Sequence, residues 1–322
     1  MDLFEQIKKP IESQLQECRS MFCDSLTHTT PLLDQALTQV KARSGKMMRP
    51  ILVLLSAKLF GSIKENALQV AVAYETFHTA SLIHDDVVDE SEERRGQKSV
   101  NTSFDNKVAV LVGDFILAKT LQHLAATDIP QLIDILASAA QRLSNGELLQ
   151  LYNISNEVIS EDTYYEIIRN KTAALFTACA TSGAIVAGAS EEDAELLRQY
   201  GENLGICFQI KDDIFDYEDA NVGKPTGNDM KEGKLTLPAI YAVTHSNGEM
   251  DEIVGKVKQS KATEEEIATL VAFTKKNGGI EYALAAMNEY AKKAKHMLDK
   301  FPESDTKTAL LAYVDLVVER EY

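Results

Sequence analysis

Thr79-Ala80-Ser81-Leu82-Ile83-His84-Asp85-Asp86-Val87-Val88-Asp89 and, far downstream, Gly205-Ile206-Cys207-Phe208-Gln209-Ile210-Lys211-Asp212-Asp213-Ile214-Phe215-Asp216 carry one pattern twice: an apolar approach, then D-D-x-x-D. The approach reads as a core-packed helix, and the ending places three carboxylates within one helical turn. The first and last Asp of each run are four residues apart and stack on one face, while the middle one is rotated by about 100° toward the side. Like charges at that spacing cost a helix roughly a few tenths of a kcal/mol before any burial. Each cluster therefore calls for a cation.

Helical periodicity dominates the rest of the chain. Apolar residues recur at i, i+3 and i+4 over segments near 2–25, 31–43, 50–60, 64–90, 103–126, 130–152, 161–188, 191–219, 235–245, 263–276, 278–300 and 304–320. Pro31, Pro50, Pro130 and Pro238 fall near helix starts, and Gly61, Thr226-Gly227-Asn228 and Asn277-Gly278-Gly279 mark stops. No stretch alternates as a strand should, and no linker or low-complexity tract interrupts the chain. The expectation is an all-α protein: one large helical bundle spanning residues 1–322 as a single domain, with the duplicated acidic run suggesting two halves that face one cavity.

Composition excludes several classes. At 322 residues and 45% apolar content the chain is long enough for a sizeable core. A net charge of -16 opposes binding to phosphate backbones, so no nucleic acid partner is expected. Cys18, Cys23, Cys179 and Cys207 show neither C-x-x-C pairing nor zinc spacing, and the first residues lack a basic-then-apolar leader, which together point to a cytoplasmic protein. The longest uncharged run, Thr172 to Ser190, is too rich in Thr, Ser, Gly and Ala for a membrane span and reads as a buried helix.

Oxygen-only ligands on two helices suit a hard divalent cation, and Mg²⁺ is the natural candidate because it shares its shell with water and substrate phosphates. The competing reading of one such run is a solvated acidic face; repetition behind two core-like approaches favours metal. Cations follow each cluster: Arg94, Arg95 and Lys98 after the first, Lys224, Lys231 and Lys234 after the second. They suit a polyanion bridged by metal, with Arg able to grip phosphate oxygens bidentately and surface pairing with nearby Glu as the alternative. Ser44-Gly45-Lys46-Met47-Met48-Arg49-Pro50 places two cations at a helix start, either an anion site or an ordinary cap. It is not a P-loop, which needs an earlier Gly and a Ser or Thr after the Lys.

Gly45-Lys46-x-x-Arg49-Pro50, His84 through Glu90 with Arg94-Arg95-Gly96, Gly146-Glu147-x-x-Gln150, Lys171-Thr172-Ala173, Phe208 through Asp216, Gly223-Lys224-Pro225 and Gly233-Lys234-x-Thr236-Leu237-Pro238 together resemble the trans-isoprenyl diphosphate synthases. The resemblance implies a deep central cavity, a homodimer, and three Mg²⁺ held by Asp85, Asp86, Asp89, Asp212, Asp213 and Asp216 with an allylic diphosphate (geranyl, farnesyl or geranylgeranyl). It implies that Gly45, Lys46, Arg49, His78 and Arg95 hold isopentenyl diphosphate, and that Arg94, Lys171, Gln209, Lys224 and Lys234 face the allylic diphosphate. Thr172 and Gln209 would lie near the developing carbocation, so that Lys171, Thr172 and Gln209 form the catalytic set. Taken without the motifs, His78 reads as a core histidine with one hydrogen bond. The implied product is released without a membrane span, with room for peripheral association.

The chain departs from the family pattern at Met47, where Arg is frequent, at Ser44, where Gly is, and at Asn145, which precedes Gly146-Glu147. The Met47 difference bears on how closely the first anion site copies its relatives. Below the first cluster stand the small residues Ser81 and Ala80, one turn or about 6–7 Å deeper at 1.5 Å per residue. Neither blocks a growing tail. Phe77 lies about 12 Å down by the same rise, and the segment Val108 to Leu121 is the other candidate floor. An all-trans product beyond fifteen carbons is expected, on the order of thirty to forty as the resemblance suggests. The rivals are a class I terpene cyclase, disfavoured by a second D-D-x-x-D, a noncatalytic prenyltransferase subunit, and a plain helical scaffold.

Overall fold

The computed structural model describes residues 2–42, 45–94, 96–154, 159–217 and 226–320. Along the chain run α1 (Leu3–Lys8), a 3-10 turn at Lys9–Ile11, α2 (Glu12–Ser25), α3 (Pro31–Ala42), α4 (Met48–Lys58) and α5 (Glu65–Val88). A minimal hairpin of β1 (Glu93–Arg94) and β2 (Gln97–Lys98) precedes α6 (Val100–Ser103), α7 (Asn106–Ala125), α8 (Pro130–Ile154) and α9 (Glu161–Ile168). A π turn at Arg169–Ala173 leads into α10 (Ala174–Val186) and α11 (Glu191–Phe215). The chain closes with α12 (Asn228–Lys231), α13 (Leu237–Thr244), α14 (Asp251–Lys258), α15 (Glu264–Lys276), α16 (Gly279–His296) and α17 (Asp305–Glu319).

The helices form two compact units. The first comprises Met1–Leu136, Cys179–Leu197 and Phe301–Leu310. Its spine is α5, which packs along α7, α4 and α2 and buries the run from Val70 to Phe77. Ile51 to Leu55 of α4 are fully buried, each side chain worth about 1.5–3 kcal/mol of transfer free energy. Buried hydroxyls pair within this core: Thr76 with Thr120 at 2.9 Å, and Tyr74 with Ser182 at 2.8 Å. The helix α7 is long and apolar enough to cross a membrane by length and composition, and here it packs along α5 while exposing Leu111 and Leu121.

The second unit comprises Ala137–Ala178, Arg198–Lys300 and Leu311–Tyr322. Tyr217, Met230, Ala239, Val243, Val254, Val257, Ile267, Leu270 and Val271 form one buried cluster there. The helix α15 begins with a reciprocal capping box, Thr263 with Glu266, as its T-E-E-E start encodes.

Periodicity locates every long helix and misplaces four details. The segment read as 2–25 is two helices, α1 and α2, parted by the 3-10 turn at Lys9–Ile11. The segment read as 161–188 is not one helix but two joined by the π turn. The helix read as 64–90 stops at Val88, because Asp89 is its C-cap and Glu90 turns left-handed at φ 51°. The hairpin, α6, α12 and α14 escape the reading, being too short or too weakly apolar to show a period.

Candidate active site

Both acidic clusters sit at the C-terminal end of a helix, where the unpaired carbonyls already make the potential negative. Three carboxylates against that end raise the demand for a cation beyond what their mutual repulsion requires. The helical rotation read from the sequence then separates their roles in the same way in each unit.

In the first unit Asp85 is half-buried, Asp89 is exposed, and Asp86 is turned inward with 3% of its surface exposed. The hairpin brings Arg94 back to it: Arg94 Nε donates to Asp86 Oδ1 at 2.6 Å. Asn101 ties the turn by donating to the Asp86 and Ser91 carbonyls, both at 3.2 Å. Asp86 and Arg94 line a cavity of about 540 Å³ together with Gly45, His78, Glu75 and Leu82. Four of the sequence-predicted residues thus meet in one place. Lys46 is exposed and Arg49 half-buried at the start of α4, whereas Met47 is left-handed (φ 56°, ψ 38°) and 1% exposed. The departure from the family pattern at Met47 therefore puts an apolar side chain into the core. Arg95 and Ser44 lie outside the described residues.

In the second unit α11 ends at Phe215, one residue before Asp216. Asp213 is 3% exposed and held on both oxygens, Oδ2 accepting from the Tyr164 hydroxyl at 2.5 Å and Oδ1 from Gln209 Nε2 at 2.8 Å. Burial pushes its carboxyl well above the ordinary range. Asp212, whose side chain is 40% exposed, accepts from Arg320 Nη2 at 2.6 Å; the same guanidinium bonds the Phe208 carbonyl at 2.8 Å and stacks 3.9 Å over the Phe208 ring. Asp216 accepts from the amides of Asn228 (2.8 Å) and Asp229 (3.2 Å), and so caps the turn that follows. Burial raises the Asp216 carboxyl against the pull of those amides. Burial, reinforced by Asp216, raises Asp229 to about 6.

Lys171 and Thr172 stand on the π turn, whose wider winding redirects both side chains from the positions an unbroken helix would give them. The irregular backbone is supported from α8. Arg142 donates to the Arg169 carbonyl at 3.0 Å and to Asn170 Oδ1 at 3.0 Å, satisfying groups of the turn. Two glycines allow the close approach: a Cβ on Gly146 would sit 2.6 Å from the Lys171 amide nitrogen, and one on Gly205 would sit 2.6 Å from Ala173 Cα. Glu147, next to the first of these, holds Lys171 Nζ at 2.5 Å, and Gln150 in turn donates to Glu147 at 3.2 Å. Each residue of Gly146-Glu147-x-x-Gln150 thus serves Lys171 physically, the glycine by letting the backbones approach, the glutamate by pairing the ammonium, and the glutamine by steadying the glutamate.

Thr172 Oγ1 donates to Gln209 Oε1 at 2.6 Å, and both line a cavity of about 840 Å³ with Lys171, Asp213, Tyr164 and Lys234. Lys234 is steadied by Glu232 at 2.5 Å, while Lys231 makes only a loose surface pair with Glu264 at 3.7 Å. Lys224 lies outside the described residues. Tyr164, Asp229 and Arg320 were not singled out by the sequence. Their partners lie 49, 13 and 108 residues away, and no local spacing signals them.

The donor set fits a hard divalent ion. Every candidate ligand is a carboxylate oxygen, and in each cluster the inward Asp is engaged by protein donors while at least one outer Asp is half-exposed or exposed. Among the described residues no three acidic, His or Cys side chains converge on one point. A cation here would take one or two carboxylates and complete its shell with water and phosphate oxygens, which is the habit of Mg²⁺.

Comparisons with known proteins identify the family of the chain. The polyprenyl synthetase family model matches residues 30–273. The octaprenyl diphosphate synthase of Haemophilus influenzae is 36% identical over 321 residues, covering 99% of this chain and 97% of that protein. A solved geranylgeranyl pyrophosphate synthase of Bacteroides thetaiotaomicron superposes with a TM-score of 0.88 at 47% identity, covering 99% of this chain and 100% of that one. A polyprenyl synthase of Caulobacter crescentus CB15, solved with calcium and isoprenyl diphosphate, gives 0.92 at 32% identity over 98% of each chain. The chain belongs to the polyprenyl synthetase family, the trans-isoprenyl diphosphate synthases, and has their all-α fold. It is a trans-prenyltransferase of the polyprenyl diphosphate synthase type.

Proposed function

We propose that this protein condenses isopentenyl diphosphate with an allylic diphosphate to make an all-trans polyprenyl diphosphate longer than fifteen carbons. The observation that carries the reading is the repeated carboxylate arrangement: at two helix ends the middle Asp is tied inward, to Arg94 or to Tyr164 and Gln209, and an outer Asp remains accessible. Mg²⁺ bound by those carboxylates supplies charge neutralisation for the leaving diphosphate.

The chain's own groups do the rest. Lys171 and Lys234, each braced by a glutamate, offer fixed cations toward the same cavity, where the allylic C–O bond breaks and its electron pair leaves with the diphosphate. Thr172 and Gln209 line that cavity with oxygens suited to a developing allylic cation. Gly45, Lys46, Arg49 and His78, with Arg95, are assigned to isopentenyl diphosphate, whose double bond must be held in place to form the new C–C bond. A proton then leaves, to the released diphosphate, and the allylic double bond is restored. Arg94, through its bond to Asp86, is assigned to the allylic side with Lys224.

A single domain, three metal ions and a homodimer complete the proposal. The exposed Val110, Leu111 and Leu121 of α7 are the apolar surface a second copy would cover. All four cysteines are free thiols, in keeping with a cytoplasmic location.

Purified protein incubated with Mg²⁺, labelled isopentenyl diphosphate and farnesyl diphosphate, followed by chromatography of the dephosphorylated product, tests the reading. A product stopping at fifteen carbons sinks the chain-length assignment. Hydrocarbon release from the allylic diphosphate alone identifies a cyclase, and inactivity rescued by a partner identifies a subunit.

A further inference from the structure

The hydrogen bonds joining Tyr164, Asp213, Gln209 and Thr172 have one consistent direction. In its ionised form, the one a cation beside it would hold, Asp213 only accepts, so both neighbours donate to it: the Tyr164 hydroxyl to Oδ2 at 2.5 Å and the Gln209 amide nitrogen to Oδ1 at 2.8 Å. With its NH₂ committed there, Gln209 turns Oε1 the other way, and that oxygen takes the Thr172 hydroxyl proton at 2.6 Å. Thr172 has then placed its single proton inside the protein and presents oxygen lone pairs to the cavity that it lines. A flipped Gln209 would set its carbonyl against the carboxylate and free the Thr172 proton to point into the cavity. Asp213 forbids that arrangement by repulsion.

Tyr164 is what holds Asp213 in this role. Its ring is 5% exposed, edge-on to Tyr165 at 5.3 Å between centroids, and its hydroxyl occupies the oxygen that Gln209 does not. We propose that Tyr164 is a positioning residue that, through Asp213 and Gln209, fixes Thr172 with its lone pairs toward the allylic cation. The middle Asp of the second cluster thereby orients the carbocation-facing hydroxyl. This inference rests on the function proposed above, since it needs a cation in that cavity.

Tyr164→Phe removes one oxygen and keeps the ring. Its kcat falls about tenfold, the equivalent of one weakened transition-state contact, while KM for both diphosphates stays within about twofold. Thr172→Val lowers kcat as well, and the double variant loses no more than Thr172→Val alone, because Tyr164 acts through Thr172. Thr172→Ser, which keeps the hydroxyl, loses less kcat than Thr172→Val and remains sensitive to Tyr164→Phe. Mn²⁺ binding to the substrate-free protein, read by electron paramagnetic resonance, is unchanged in Tyr164→Phe.

Losses that multiply, a raised KM or weakened Mn²⁺ binding overturns the inference and makes Tyr164 structural. If Tyr164→Phe does not fold, Tyr164→Met replaces it, since it removes the same hydroxyl from Asp213 and leaves every carboxylate in place. The same kcat loss and the same non-multiplicative pairing with Thr172→Val are expected there, and their absence overturns the inference. Wild-type protein that makes no polyprenyl product refutes the function itself, which separates the two failures.

Discussion

Gly146→Ala tests how the Lys171–Thr172 segment is held. The added Cβ meets the Lys171 amide nitrogen at 2.6 Å and Asn170 Cβ at 3.0 Å, about 0.8 Å inside ordinary contact distance at the first. The nearer neighbour is backbone, so it cannot rotate away; either α8 retreats or the π turn shifts. Overpacking of this kind costs about 1–3 kcal/mol, offset by the roughly 0.8–1 kcal/mol by which Ala outranks Gly within a helix. The net loss, about 0–2 kcal/mol, lowers Tm by only a few degrees in units of this size. Activity suffers more, because the turn carries Lys171 and Thr172, and a displacement approaching 1 Å costs on the order of 10²-fold.

Gly255→Ala provides the matched control. It is the same change within α14, where an added Cβ meets nothing within 4 Å. Unchanged turnover and a gain of about 0.5–1 kcal/mol are expected. Steady-state turnover with isopentenyl and farnesyl diphosphates is measured beside thermal melts for both variants. The reasoning fails if Gly146→Ala keeps kcat within about twofold of wild type, or if Gly255→Ala is impaired to the same degree.

Ala80→Phe, beneath the first cluster, is expected to shorten the product without abolishing turnover; Ala80 is 2% exposed, so a melt accompanies the chromatography, and an unchanged product distribution in folded protein removes this position from the chain-length argument. A pH dependence follows from the second cluster. Asp229, raised to about 6, is protonated in both folded and unfolded chains below about pH 4, but between there and about 6 only the folded chain keeps the proton, so its contribution to stability is lost as the pH rises through that window. The shift corresponds to at most about 3 kcal/mol, and Asp213 and Asp216, also raised, act in the same direction. Mg²⁺ should therefore raise Tm more at about pH 7 than at about pH 5. An equal or larger effect on the acid side contradicts the placement of the cation beside these carboxylates.

Much of the site is legible in the sequence because its signals are local. The spacing of Asp85, Asp86 and Asp89 alone predicts that the middle carboxylate turns aside, and Asp86 and Asp213 are the inward members of their clusters. Lys171 with Thr172, Gln209, and Lys234 come from three separate motifs and line one cavity. What stays hidden are the partners. Arg94, read as a cation for phosphate, donates to Asp86, and Lys171 is braced by Glu147. A π turn leaves no trace in apolar periodicity, since it inserts one residue into an otherwise continuous helical pattern.

The sequence by itself determined the all-α class, the family and the residue types at the reacting centre, because helix period, carboxylate spacing and motif order are properties of neighbours along the chain. Only the tertiary structure decided which oxygens of those carboxylates are already engaged, which cations are braced, and in which direction the Thr172 hydroxyl points. Those depend on contacts such as Tyr164 with Asp213, between residues far apart in the chain, where hydrogen-bond geometry and burial act and spacing carries no information.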